Sequence, residues 1–133
     1  MTLFEELIEL LADEVVIESI QETDRLLHLL VETYPVTSWG RIDWEAISDK
    51  YIVISVQEAA GILESQLGVS NDLKVNVLWN YSAAPSIRVS LNEVVKYIDD
   101  VLAVGSDTWI TCPDLSFVIE FFHEGEIVLG FRK

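Results

Sequence analysis

The side chains that could do chemistry are few, and their spacing does not suit it. The two histidines, His28 and His123, fall in opposite halves of the chain. His123-Glu124-Gly125-Glu126 carries ligand-type residues, but a zinc hydrolase needs His-Glu-x-x-His on one helical face. Here the four residues form a turn between two apolar strands, so no metal is expected. His28 sits between Leu27 and Leu29 on a helical pattern and reads as a structural histidine. The chain has neither Gly-x-Gly-x-x-Gly nor Gly-x-x-x-x-Gly-Lys, so it lacks a phosphate cradle, and it has no Gly-x-Ser-x-Gly nucleophile turn. Asp99-Asp100 lie on a helix, where neighbouring side chains diverge by about 100° and cannot act as a carboxylate pair. Cys112 is the single cysteine, which rules out an internal disulfide. It reads as a small half-buried apolar group at a strand end, in keeping with a reducing compartment. These residues predict no catalytic centre, no cofactor and no metal.

Charge is the stronger signal. The chain carries 23 Asp and Glu against 8 Lys and Arg, a net charge of −15. Residues 1–66 hold 14 acids and 3 bases (−11), and residues 67–133 hold 9 and 5 (−4). Such a field repels nucleic acid phosphates and anionic lipid, and it steers cationic partners inward. Three acidic clusters are candidate partner-binding sites. The first is Asp43, Glu45 and Asp49, interleaved with Trp39 and Trp44 in the segment from Pro35 to Lys50. Aromatic anchors ringed by carboxylates suit a partner rich in Lys and Arg, although Trp is highly buried on average, which favours both tryptophans as core residues pinning the segment to the sheet and leaves the carboxylates as the stronger candidates. The second is Asp99, Asp100 and Asp107, where acids near a helix C-terminus oppose the helix dipole. The third is Glu120, Glu124 and Glu126 at the final hairpin, where charge also blunts an edge strand against aggregation.

These side chains must be positioned by a framework of helices and strands. Thr2 with Glu5, Ser19 with Glu22, Ser55 with Glu58 and Ser90 with Glu93 fit the capping box, and each precedes apolar residues at helical spacing. Four helices are therefore predicted, the second ending before Pro35, the third at Gly68, and the fourth running from Leu91 to Leu102. Strands are predicted at 51–54, 73–79, 108–112, 115–123 and 126–132, with a short piece at 86–89. In the middle strand of the last three, Phe117, Ile119 and Phe121 share one face and Val118, Glu120 and Phe122 the other. That second face is mixed, either partly covered or an interface. The whole chain, 1–133, reads as one α+β domain: an antiparallel sheet ending in a three-stranded meander, with about four helices packed against it. No basic leader and no run of the ~20 apolar residues that cross a bilayer is evident, so a cytoplasmic protein is expected.

The block Asp107-Thr108-Trp109-Ile110, with the run from Ser116 to Ile127, resembles the closing meander of bacterial immunity proteins that inhibit polymorphic toxins, including those of contact-dependent growth inhibition. The resemblance implies a protein without enzymatic activity that binds a cognate toxin domain. A nuclease toxin is basic because it grips phosphate. An acidic inhibitor would then neutralise it by covering its active site. The alternative is a generic acidic interaction or regulatory module, dimerising through the sheet face that carries Val118 and Phe122. A third reading, an enzyme, requires a deep pocket holding His28 or His123 beside carboxylates.

Overall fold

The four predicted helix starts all form caps. In the computed structural model, which describes residues 1–80 and 82–132, Thr2, Ser19, Ser55 and Ser90 each accept a hydrogen bond from the backbone N–H three residues on. They open α1 (Leu3–Leu11), α2 (Ile20–Thr33), α3 (Val56–Leu67) and α4 (Leu91–Lys96). The reciprocal carboxylate bond of the capping box forms at Thr2, from its N–H to Glu5 at 2.9 Å. Glu22 instead turns its carboxylate to Arg25. Gly68 ends α3 with φ 66°, a left-handed conformation that suits glycine.

The predicted fourth helix is two helices. The backbone leaves helical geometry at Tyr97, and α5 (Ile98–Leu102) follows. Asp99 and Asp100 therefore stand in the first turn of α5, where the helix dipole favours anions. This overturns the expectation that they oppose a helix C-terminus, and with it the hint that they are held there for another purpose.

Among the described residues seven strands form one antiparallel sheet: β1 (Val16–Ile17), β2 (Lys50–Val53), β3 (Lys74–Asn80), β4 (Ile87–Ser90), β5 (Asp107–Thr111), β6 (Phe117–Phe121) and β7 (Ile127–Phe131). Their order is β1-β4-β3-β5-β6-β7-β2. The meander β5-β6-β7 stands as predicted, and Gly125 supplies a positive φ (99°) to its second turn. β1 escaped prediction because two residues carry no periodicity. The final hairpin is not at the sheet edge, since β2 pairs along β7. The acids around that hairpin therefore do not serve as edge protection.

Alternation in the strands gives the sheet two apolar faces, each covered. Phe117, Ile119 and Phe121 join Val77, Ile110 and Leu129 in a core closed by Leu7 and Leu11 of α1, Leu63 of α3, Val94 of α4 and Val101 of α5. On the opposite face Val118, Leu78 and Trp109 pack under Leu26 and Leu30 of α2 and under Tyr34, Ile42 and Ile47 of the following segment. Val118 is thus fully buried beneath α2 and that segment, and Phe122 is half-buried. The face proposed for dimerisation is occupied by the chain itself.

Candidate functional site

A carboxylate in the middle of β6 organises the Trp-rich segment. Glu120 faces the α2 side of the sheet and is 1% exposed. Its Oε1 accepts from Arg41 Nε at 2.7 Å and from Trp44 Nε1 at 2.9 Å. Its Oε2 accepts from the Ile42 backbone N–H at 2.9 Å and from Trp109 Nε1 at 3.0 Å. A carboxylate offers about four acceptor positions, and here all are taken, three of them by the segment that follows α2. Arg41 bridges onward to Glu126 and stacks its guanidinium 4.2 Å from the centre of the Phe122 ring.

Further ties hold the same segment. The Tyr34 hydroxyl donates to Leu115 O at 2.7 Å, Asn80 donates to Gly40 O at 3.0 Å, and the Lys50 ammonium donates to Trp44 O. Val36 and Ile42 form an isolated antiparallel bridge across the turn at Gly40 (φ 85°). The Trp44 ring lies on Gly130 of β7, where a Cβ would meet its Cζ3 at 2.5 Å. Gly130→Ala should therefore push the indole off Glu120 and cost about 1–3 kcal/mol, the usual range for overpacking. The check is a lowered urea midpoint at unchanged slope.

The result is a rigid surface. Trp39, Asp43, Trp44, Glu45 and Glu126 line one groove of about 260 Å³, with Arg41 and Ile42 in its wall. Trp39 is 67% exposed at its rim and Glu45 is exposed, while Asp43 and Trp44 are half-buried. Five of the residues predicted to meet a partner are thus brought together. Asp49 is exposed just beyond, at the entrance to β2, and Glu124 is exposed on the hairpin tip. Asp99 and Asp100 are exposed on α5, which packs on the other face of the sheet.

Two predicted contact residues point inward. Glu120 is the pin just described. Asp107 is buried and accepts from the His123 N–H at 2.7 Å, with His123 Nδ1 at 3.0 Å. It fastens the β6-β7 turn rather than facing a partner. The His123 ring also packs on Phe122, with ring centres 4.2 Å apart. Arg41 and Gly130 were missed. The available signal was an acid at an inward position of an apolar strand, which needs a buried cation and donors.

Chemically active groups are otherwise quiet. Among the described residues no group of three or more His, Cys, Asp or Glu could hold a metal ion, and no helix is long and apolar enough to cross a membrane. Cys112 is buried, and its thiol lies 2.8 Å from Asp114 Oδ1, to which it donates. Burial first, and that hydrogen bond second, push its pKa up. The folded protein should therefore react with a thiol-specific disulfide reagent at least tenfold more slowly than the urea-unfolded chain, roughly in line with its loss of thiolate.

No curated protein sequence matches the chain. The family described as CdiI immunity protein EcoliA0-like matches residues 1–130. Proteins of this family act inside the cell as non-enzymatic inhibitors of the toxins of contact-dependent growth inhibition. Matched over almost its whole length, the chain belongs to the CdiI immunity protein family and neutralises a toxin of that system by binding the cognate CdiA toxin domain.

Proposed function

We propose that the chain neutralises a basic CdiA toxin domain, a nuclease, by laying the Trp39–Glu126 groove over the surface with which that domain grips phosphate. The observation that carries this reading is the groove itself. It combines an exposed indole with the carboxylates of Asp43, Glu45 and Glu126 on a segment already fixed by Glu120. Pre-fixed contacts lose little freedom on binding, which favours affinity. The surrounding charge of −15 adds steering toward a cationic domain. A nuclease must keep a cationic surface for its substrate, so an acidic groove that mimics phosphate meets it where activity resides.

Occlusion is tested by competition. A catalytically inactive cognate toxin domain is bound to labelled nucleic acid, and the immunity protein is titrated in. Displacement of the nucleic acid at stoichiometric protein is expected. A stable ternary complex of toxin, nucleic acid and this protein would overturn occlusion.

A further inference from the structure

The sheet ends in two edge strands, the two-residue β1 and the four-residue β2, and β2 is the one beside the groove. Among the described residues β2 pairs with β7 on one side and with no strand on the other. In an antiparallel ladder, alternate residues direct both backbone groups to the same neighbour. The Phe131 N–H donates to Asp49 O at 3.0 Å, and this sets the phase. Tyr51 and Val53 therefore pair with β7, while Lys50 and Ile52 aim N–H and C=O away from the sheet. Beside the exposed Lys50 this edge carries bare apolar side chains: Ile52 is 70% exposed, and Ile54, just past the strand, is 88% exposed. Proteins ordinarily cover or charge such an edge.

The edge continues the groove. Leu78, Trp109, Glu120, Val128 and Ile52 form one cross-strand row on the α2 side of the sheet. The row is buried through Val128 and becomes bare at Ile52. Trp44 lies on Gly130, the partner of Lys50, so the groove wall and the strand edge adjoin. Glu45 and Asp49 are exposed where the chain enters β2.

We propose that the free edge of β2 takes an extended segment of the toxin domain, adding a strand to the sheet. The segment sets an apolar side chain over Ile52 and a basic one against Glu45 at the groove. Its partner is the one named by the groove reading, on which this inference rests. A second copy of the chain fits the edge less well. Pairing β2 with β2 would join two chains of net charge −15 through a four-residue strand, with Asp49 and Glu45 repeated on both sides.

Amide hydrogen exchange, read residue by residue with and without the inactive cognate toxin domain, tests the proposal. In the free protein Tyr51 and Val53 should be protected, and Lys50 and Ile52 should exchange fast. In the complex the Lys50 and Ile52 amides should slow by on the order of a hundredfold. Ile52→Pro removes an outward N–H that β7 does not use, and should weaken the complex about tenfold or more, since one net hydrogen bond and an apolar contact are lost. Ile52→Thr keeps the N–H and should weaken it less. A complex in which Lys50 and Ile52 exchange as in the free protein would overturn the proposal. So would protection of those amides in the free protein that rises with its concentration, since the occupant would then be a second copy. Charge reversal in the groove is scored separately. Binding lost by groove reversal without edge protection sinks the edge proposal alone, whereas edge protection with binding indifferent to the groove sinks the groove reading.

Discussion

Glu120→Ala should cost about 3–5 kcal/mol of folding stability, the range for breaking a buried charge pair by removing one partner. The loss is large because four donors are orphaned together: the Arg41 guanidinium, the Ile42 N–H and the indoles of Trp44 and Trp109. For a domain of this size a loss of that order lowers the melting temperature by roughly 10–20 °C. Glu120→Gln keeps the volume but places an NH2 where two donors converge, so it should lie between Ala and wild type. An acid in mid-strand that tolerated alanine within about 1 kcal/mol would mean that the segment 35–49 is held by its apolar contacts alone. Denaturant unfolding followed by far-ultraviolet circular dichroism distinguishes the two.

The second large effect is on binding. Asp43→Lys with Glu45→Lys reverses two carboxylates at the groove without touching the Glu120 hydrogen bonds. The double variant should fold with wild-type stability and bind the toxin domain about 100- to 1,000-fold more weakly, since close charge pairs across an interface couple by roughly 1.5 kcal/mol or more each. Association should slow as well, because the reversal removes local steering. Trp39→Ala, which deletes an exposed ring at the groove rim, should cost about 2 kcal/mol of binding, as truncated aromatic anchors do.

The caps, the meander and the two-faced alternation of the last strands were legible in the sequence because each depends on neighbours within a few residues. The break at Tyr97 was not, since the apolar pattern runs through it from Val94 to Val101. Its consequence was to misplace Asp99 and Asp100 relative to a helix end. Counting acids also could not separate Glu120, three of whose four donors come from residues 76 to 79 positions away in the chain, from Glu126, which is exposed at the groove. The mixed face of β6 was the clue. Val118 and Glu120 on one side of a strand require both an apolar cover and a polar one, and the single segment 34–47 supplies both.

The groove was half legible. Trp39, Asp43, Trp44 and Glu45 are neighbours in sequence and remain neighbours in space, whereas Glu126 arrives through Arg41. Asp107 sits in the same acidic run as Asp99 and Asp100, yet its carboxylate is used inside the molecule by His123.

The most direct measurement is a calorimetric titration of the inactive cognate toxin domain into three proteins across a range of salt: wild type, Asp43→Lys/Glu45→Lys, and Asp99→Lys/Asp100→Lys as a reversal of equal charge on the far side of the sheet. The groove variant should lose about two orders of magnitude or more in affinity and most of its salt dependence, while the α5 variant should stay within about threefold of wild type. Equal losses for the two reversals, or none for the groove variant, would rule out the groove as the surface that meets the toxin domain.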